Sequence, residues 1–228
     1  MNAVLFDIDG TLLSSHGVGR HAFEKALQEL VGMDIDMSKI DWFGRTDYDI
    51  CATALETAGY QGNIPEIITH IFGLYISYFD DFVLSDKNLI EPIPYAGELL
   101  MALHDCCPGL LTGNVMEAAY KKLKKVGFDR YFPYGIGGFG SDARDRNTLF
   151  YPALERMKKY YNTPHFERVI LIGDSPRDIE CAKINGALSL AVATGNMNYK
   201  TLAAYGPDYI FDNFKDRDKI IELLTRTL

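Results

Sequence analysis

Two aspartates near the start of the chain, Asp7 and Asp9, are the first residues whose type and spacing indicate chemistry. They end a short apolar run that begins at residue 3, and such a run is typical of a strand buried on both faces. Residues two apart on a strand point the same way, so the two carboxylates predict a divalent-cation site or a nucleophile beside an acid/base. The alternative is a plain strand end with an Asx turn at Gly10.

A second stretch, Thr112, Gly113 and Asn114, follows an apolar run at 109–112 and precedes a helical pattern. A hydroxyl at a strand end, beside backbone N–H groups at a helix start, is suited to binding a phosphoryl oxygen. The alternative is an ordinary turn, because Thr-Gly-Asn is common in turns.

A third stretch contains Asp174 and Asp178, which lie four residues apart across a predicted strand–helix junction. Their carboxylates suit a hard cation such as Mg²⁺, whereas the alternative is an aspartate capping a helix before Pro176. All three stretches fall at the carboxyl ends of predicted parallel strands, where open α/β sheets place their sites. Their coincidence favours a functional site over three unrelated turns.

The elements that must position these residues follow two different patterns. After about residue 92, apolar strand-like runs alternate with helical patterns, which predicts a parallel sheet covered on both faces. The predicted strands lie at 3–10, 109–112, 168–173 and 188–193, with weaker ones at 209–211 and 134–136. The predicted helices lie at 115–126, 148–161, 176–185 and 216–224. Residues 14–90 show helical spacing alone, which predicts a small all-helical domain inserted after the first strand.

Composition narrows the classes of function. The 23 Lys+Arg and 31 Asp+Glu give a net charge of −8, which is a poor match to nucleic acid. No apolar stretch approaches the roughly 18 residues of a membrane span, and no basic residue precedes Asp7 as in a secretory signal. The four cysteines show no C-x-x-C spacing and indicate reduced thiols in the cytoplasm. No feature of the sequence indicates an oligomeric state.

The three motifs are D-x-D-G-T-L at 7–12, L-T-G-N at 111–114 and G-D-S-P-x-D at 173–178. In order and spacing the sequence resembles the haloacid dehalogenase superfamily, a phosphatase-rich group with a Rossmann-like core and a mobile cap. The helical insert resembles the caps of the phosphoglycolate phosphatase and β-phosphoglucomutase members. The resemblance implies a three-layer α/β/α core at 1–13 and 92–228, and a helical cap at 14–91.

The resemblance also implies a role for each motif residue. Asp7 is the expected nucleophile that attacks phosphorus and forms an aspartyl-phosphate. Asp9 is expected to protonate the leaving alkoxide and then to activate the hydrolytic water. Thr112, with the neighbouring Gly113 and Asn114, is expected to hold the transferring phosphoryl group.

Mg²⁺ is the expected cofactor. The resemblance implies that the Asp7 side chain, the Asp9 backbone carbonyl and Asp174 bind it, and that Asp178 either ligates it or supports the ligands. A carboxylate and a phosphate repel one another, so the cation supplies charge neutralisation and in-line orientation.

One departure from the family pattern concerns a lysine before the third core helix. No lysine occurs between Lys125 and Lys158, and we expect Arg146 to replace it, with Arg144 as the second choice. A guanidinium binds phosphate oxygens through a fork but is not equivalent to an ammonium. The alternative is a solvated turn with scattered charges.

In the insert, the segment G-R-T-D at 44–47 resembles the part of related caps that contacts substrate, so Arg45 and Thr46 are candidate substrate-binding residues. The alternative is a Thr N-cap beside a solvent-facing Arg. His16 is interpreted as a linker residue. An exposed charged helix face is predicted for four lysines: Lys121, Lys122, Lys124 and Lys125.

The resulting prediction is a Mg²⁺-dependent phosphatase acting on a small phosphorylated metabolite, with no nucleic-acid or membrane partner. A sugar phosphomutase would use the same Asp7 and Asp9 and stays open as an alternative. A haloalkanoate dehalogenase is disfavoured, because relatives with that activity do not use the second aspartate. A catalytically silent binding module of the same fold is disfavoured by the full set of carboxylates.

Overall fold

The sheet at the centre of the molecule is parallel throughout, in a computed structural model that describes residues 1–32, 35–85 and 89–226. Its six strands run in the order β5-β4-β1-β6-β7-β8. They are β1 (Asn2–Phe6), β4 (Cys106–Leu111), β5 (Gly137–Gly138), β6 (Val169–Gly173), β7 (Leu188–Val192) and β8 (Tyr209–Phe211). The strand at Gly137–Gly138 lies just after the weak run at 134–136, and the other predicted strands are present within a few residues.

The central strand shows why this sheet is covered on both faces. Val4 and Phe6 pack into one hydrophobic cluster, and Ala3 and Leu5 pack into another. Side chains alternate across a strand, so a run that is apolar at every position needs a cover on each side. The fold class predicted from sequence is therefore confirmed.

Most of the core helices lie close to their predicted positions. They are α4 (Ala96–Met101), α5 (Met116–Lys125), α6 (Phe150–Tyr160), α7 (Pro176–Ile184), α8 (Tyr199–Ala203) and α9 (Arg217–Thr225). Gly127 and Gly186 follow α5 and α7 at φ of 73° and 68°, a conformation that favours glycine after a helix. The sequence prediction missed α4 and α8, which span six and five residues and are too short to show a helical period.

The inserted segment contains α1 (Val18–Val31), α2 (Asp47–Thr57) and α3 (Ile64–Ser85). Phe23 of α1 stacks on Tyr75 of α3, with ring centroids 4.1 Å apart. The chain enters and leaves the insert through an antiparallel ribbon of β2 (Leu13–Ser14) and β3 (Glu91–Pro92), which the sequence did not predict. Both predicted domain boundaries fall in this ribbon, and the division into core and cap stays a prediction. In the described part of the chain, no helix has the length and apolar character to cross a bilayer.

Candidate active site

The motif residues follow the carboxyl ends of three neighbouring strands. Each of three motif residues is the first residue after its strand: Asp7 follows β1, Thr112 follows β4 and Asp174 follows β6. Asp7 and Asp9 were expected on a strand, but β1 ends at Phe6 and both aspartates lie in the loop beyond it. Because β1 lies between β4 and β6 in the sheet, the loops after these strands converge at one place.

Three buried carboxylates form an acidic cluster at this edge. Asp7, Asp174 and Asp178 each offer an oxygen, and these oxygens all lie within 4.8 Å of one another. Burial, followed by repulsion from the neighbouring aspartates, raises the pKa of Asp7 to about 6, although Arg146 opposes the shift. Burial and the same repulsion raise the pKa of Asp174 well above its ordinary value. The cluster offers only oxygen ligands, and its negative charge exceeds the nearby positive charge. Such a site fits a hard divalent cation.

Two glycines shape the space that Asp174 occupies. A side chain at Gly10 or Gly195 would collide with the Asp174 carboxylate, so the loops can close on it only where no Cβ is present. Gly10 also adopts a φ of 81°, and its carbonyl accepts a hydrogen bond from Thr194 Oγ1 at 2.6 Å. The Asp174 carboxylate is therefore fixed against the loop that carries Asp7 and Asp9.

Asp178 has a structural task as well as a place in the acidic cluster. Its Oδ2 accepts hydrogen bonds from the Ser175 N–H at 3.1 Å and from Ser175 Oγ at 2.6 Å. The first of these bonds and the Asp178 N–H, which donates to Ser175 Oγ at 3.3 Å, form a capping box at the start of α7. Its Oδ1 accepts from Arg146 Nη2 at 2.5 Å. Both Asp178 oxygens are thus engaged in this conformation, which suits a supporting role.

Arg146 is the cation inside the acidic cluster. Its Nη2 lies 3.1 Å from Asp7 Oδ1 and also donates to the Leu111 carbonyl at 3.2 Å, and its side chain is 5% exposed. Arg144, the second choice from sequence, lies elsewhere and pairs with Asp49 and Glu56 of α2. The structure therefore brings Arg146 rather than Arg144 to the nucleophile position, and the substitution of Arg146 for the family lysine stays a prediction.

Asp9 has a different set of partners from Asp7. Its Oδ1 accepts from Ser15 Oγ at 2.5 Å, and its Oδ2 accepts from Asn114 Nδ2 at 2.8 Å and from Lys122 Nζ at 2.6 Å. Burial would raise the pKa of Asp9, but the Lys122 charge and these hydrogen bonds outweigh it and lower the pKa. The two aspartates therefore differ in electrostatic environment although they share one loop.

Lys122 is the site residue that the sequence prediction missed. The prediction of an exposed face is wrong for this lysine, whose side chain is only 4% exposed. It shares the buried face of α5 with Ala118, Ala119 and Leu123. That spacing, a lysine on the apolar stripe of a helix, was the available signal.

A cavity of about 730 Å³ opens above these residues, between the core and the insert. Its walls include most of the candidate site residues: Asp7, Asp9, Arg45, Gly113, Asn114, Arg146 and Asp174. Thr112 is fully buried below it, where its Oγ1 accepts a hydrogen bond from Asn114 Nδ2 at 2.8 Å. The structure thus brings together the predicted residues from all three motifs.

The segment at 44–47 closes one side of this cavity. Thr46 is the N-cap of α2 and is fully buried, accepting from the Asp49 N–H at 3.0 Å and donating to the Arg144 carbonyl at 2.6 Å. Arg45 Nε donates to Asp49 Oδ2 at 2.6 Å and Nη2 donates to Thr53 Oγ1 at 2.6 Å. The donors of Arg45 are engaged within the insert in this conformation, and its contact with substrate stays a prediction, as does that of Thr46.

Asp47 connects the insert to the core through a buried carboxylate. Its backbone N–H donates to the Gly113 carbonyl at 2.7 Å, and its Oδ2 accepts from the Val115 N–H at 2.7 Å, just before α5. A side chain at Gly113 would collide with the backbone carbonyl of Arg45, so the two segments approach closely. Burial raises the pKa of Asp47 to about 7, against the opposing effects of Lys122 and the Val115 hydrogen bond.

We expect Asp47→Asn to stabilise the protein at pH 8. An acid whose folded pKa is raised loses stability as pH rises from its unfolded pKa near 4 towards 7, because ionisation is disfavoured in the folded state. The amide oxygen keeps the Val115 hydrogen bond without the buried charge. The free energy of unfolding should rise by about 1–3 kcal/mol at pH 8, and the difference should vanish towards pH 4.

Asp49→Asn on the same helix is the matched control. Arg45 and Arg144 outweigh the effect of burial and lower the pKa of Asp49, so this amide should destabilise the protein at pH 8. Thermal unfolding of both variants between pH 4 and pH 8 measures whether each substitution raises or lowers stability. A loss of stability in Asp47→Asn at pH 8 would contradict a raised pKa for the buried Asp47 carboxylate.

Polar residues from three strand ends, with carboxylates from two of them, lie beneath a helical insert and define the chain as an α/β enzyme with an aspartate-based site. Residues 1–186 match the model of the haloacid dehalogenase-like hydrolases, and the chain belongs to this family. It is 25% identical to a phosphoglycolate phosphatase of Salmonella paratyphi A, covering 95% of this chain and 90% of the relative. It is 24% identical to the pyrophosphatase PpaX of Halalkalibacterium halodurans, over 99% of each chain.

A likeness in structure extends over the whole molecule. A β-phosphoglucomutase from Clostridium difficile superposes with a TM-score of 0.69 at 18% identity, covering 98% of this chain and 99% of that one. At this identity the likeness concerns the fold, including the helical insert. The named relatives support a phosphatase, and they differ in the phosphorylated compounds that their names state.

Proposed function

We propose that the protein is a Mg²⁺-dependent phosphatase that hydrolyses a small phosphorylated metabolite through an aspartyl-phosphate. The observation that carries the proposal is the convergence of Asp7, Asp174 and Asp178 with Arg146 at the floor of the cavity. Such a floor binds a metal and a phosphoryl group together and presents a carboxylate to phosphorus. The electronegative protein and its cysteines agree with a cytoplasmic metabolic enzyme, which stays a prediction.

Asp7 is the proposed nucleophile. Its carboxylate is 6% exposed at the base of the cavity, and its Oδ1 is oriented by Arg146 Nη2 at 3.1 Å. Attack by the other oxygen on phosphorus forms the Asp7–phosphate bond while the bond to the leaving alkoxide breaks. The Arg146 guanidinium stays charged throughout and balances the anions that meet there.

Asp9 is the proposed acid and base. It lies in the same loop as Asp7, lines the cavity and is about one third exposed, so its carboxyl group can reach the leaving oxygen and later the attacking water. The backbone of Gly113 and the side chain of Asn114 line the same wall and are the proposed contacts of the transferring group. Thr112 holds the Asn114 side chain in place from below.

The residues that would hold the metal are Asp7, the backbone carbonyl of Asp9, and Asp174, with Asp178 supporting them. Bound there, Mg²⁺ supplies positive charge between the nucleophile and the phosphoryl oxygens. Arg146 Nε is buried and has no hydrogen-bond partner among the described residues, so a phosphoryl oxygen there would satisfy it. The donor set and this orphaned donor both support an anion–cation pair at the cluster.

Chelation should silence the enzyme, and Mg²⁺ should restore it. Free phosphate released from a panel of phosphorylated metabolites, with and without chelator, measures the effect. Mg²⁺ should also raise the midpoint of thermal unfolding, because it relieves the repulsion that raises the pKa of Asp7 and Asp174. Undiminished turnover in excess chelator would exclude the metal-assisted mechanism.

Two variants test whether the thermal shift produced by Mg²⁺ arises at the acidic cluster. Asp174→Asn should abolish most of the thermal shift produced by Mg²⁺, whereas Glu155→Gln, on the exposed face of α6, should leave the shift unchanged. Analysis of the organic product separates the phosphatase from a phosphomutase, since a mutase yields an isomerised sugar phosphate and little free phosphate. The mutase would use the same aspartate pair.

A further inference from the structure

Lys122 is a buried ammonium that the chemistry proposed above does not use. Its Nζ lies 2.6 Å from Asp9 Oδ2 and 2.6 Å from Asn114 Oδ1, and its side chain is 4% exposed. A buried charge is unfavourable unless it is paired and hydrogen-bonded. The position of this ammonium is therefore tied to these two partners.

Lys122 decides which way the amide of Asn114 points. An ammonium only donates, so the amide must present Oδ1 to it. This leaves Nδ2 facing Asp9 Oδ2 at 2.8 Å and Thr112 Oγ1 at 2.8 Å. A reversed amide would place its NH₂ group against the ammonium, donor against donor, and would lose the bond to Asp9.

The two oxygens of Asp9 are unequal as a result. Oδ2 accepts from Lys122 and Asn114, and both of these groups are donors at that contact. Oδ1 accepts from the hydroxyl of Ser15 at 2.5 Å, and a hydroxyl can donate or accept. A proton that Asp9 carries or receives therefore belongs on Oδ1.

We infer that Lys122 is a positioning residue that, together with Asn114, anchors Asp9 Oδ2 and so fixes Oδ1 as the oxygen that exchanges protons with the leaving group and water. The inference rests on the proposed function, in which Asp9 is the acid and base. Without Lys122 the Asn114 amide loses the partner that sets its orientation, and Asp9 Oδ2 loses one of its two donors. Proton transfer should then suffer more than attack by Asp7.

Leaving-group dependence tests this role. The ratio kcat/KM reports events up to the departure of the leaving group. An alkoxide needs the proton of Asp9, whereas p-nitrophenolate leaves without one. Lys122→Met should lower kcat/KM by about 100-fold for a short alkyl phosphate and by no more than about 3-fold for p-nitrophenyl phosphate.

Three further variants complete the experiment. Lys122→Arg should recover part of the alkyl phosphate rate, because its guanidinium donates to the same two oxygens. Lys124→Met, on the exposed side of α5, should match the wild type on both substrates. Asn114→Ala should lower kcat/KM for the alkyl phosphate more than for p-nitrophenyl phosphate, in addition to the loss common to both substrates that its proposed phosphoryl contact implies. It serves if Lys122→Met does not fold, as judged by thermal unfolding.

The outcomes separate the inference from the proposed function. An equal loss on both substrates would show that Lys122 only supports the fold and would overturn the inference. Wild-type protein that releases phosphate from neither substrate, nor from the metabolite panel, would contradict the proposed function. Wild-type activity with an unchanged substrate ratio in Lys122→Met and Asn114→Ala would contradict the inference alone.

Discussion

Asp7→Asn should reduce turnover by at least about 1,000-fold while the protein remains folded. An amide cannot form the bond to phosphorus, so the proposed first step has no substitute nucleophile. Burial and neighbouring carboxylates raise the pKa of Asp7 to about 6, so the ionised carboxylate that predominates above that pH lowers the stability of the fold. Replacing it by a neutral amide should therefore raise the midpoint of thermal unfolding at pH 8 without Mg²⁺.

The sign of the stability change in Asp7→Asn follows from the direction in which the pKa of Asp7 is shifted. A raised acid pKa leaves stability intact below the unfolded pKa near 4 and lowers it as pH rises through 6. The stabilisation of Asp7→Asn should therefore shrink as pH falls towards 4. Loss of activity with gain of stability distinguishes a functional carboxylate from a structural one.

Asp9→Asn is the matched variant for this prediction. It should slow both proposed steps yet leave the Mg²⁺ thermal shift largely intact, since only the Asp9 carbonyl is a proposed ligand. Mass measurement of acid-quenched protein during turnover should detect a phosphoryl adduct in wild type but not in Asp7→Asn. Wild-type rates from Asp7→Asn would contradict the assignment of the nucleophile.

The fold was predictable from sequence where the pattern is local. The strand β1 is apolar at successive positions because each face packs against helices, and the acidic residues follow directly after it. The ribbon of β2 and β3 pairs residues far apart in the chain, and two-residue strands have no period of their own. Such short strands form only because the fold brings the two segments together.

The candidate site likewise contains residues that the local sequence predicts and one residue that depends on packing. The polar residues of the three motifs lie at or just beyond strand ends, and parallel strands bring their ends together whatever the connections between them. Lys122 comes from the middle of α5, and its meeting with Asp9 depends on which face of that helix is buried. Four lysines at 121–125 resemble a solvated face in sequence, and the helical spacing that places one of them on the apolar stripe is a weak signal until the packing is known.

The choice between two arginines shows a further limit. Arg144 and Arg146 are two residues apart in one loop, and charge alone does not distinguish them. The short 3₁₀ turn at Arg146–Leu149 directs Arg146 into the core, while Arg144 stays 46% exposed beside α2. The direction of each side chain is a property of the turn and of the surrounding insert.

Arg146→Ala should cost about 2–4 kcal/mol of transition-state stabilisation, measured as the fall in kcat/KM at saturating Mg²⁺. The guanidinium contacts Asp7 at 3.1 Å and Asp178 at 2.5 Å, and it is the cation that faces the incoming phosphoryl group in the cluster. Its loss leaves the buried carboxylates of Asp7 and Asp178 without the cation that pairs with both. The free energy of unfolding should therefore also fall by about 3 kcal/mol without metal.

Mg²⁺ separates the two effects of this variant. A divalent cation in the acidic cluster replaces part of the missing charge, so it should restore more of the stability of Arg146→Ala than of its activity. Activity needs the guanidinium at one place, whereas stability needs only positive charge nearby. Arg146→Lys should accordingly keep near-wild-type stability and lie between wild type and Arg146→Ala in kcat/KM.

Arg144→Ala is the control, because it removes an arginine of the same loop whose partners, Asp49 and Glu56, belong to the insert. Its exposed ion pairs contribute little to stability, and kcat/KM should stay within about 3-fold of wild type. If Arg144→Ala proved the more damaging variant, the phosphate-binding role would pass to Arg144 and the insert would have to move to release it. If both variants were mild, the Arg146 ion pairs would serve the fold alone, and Mg²⁺ would be the principal cation that the transferring phosphoryl group meets.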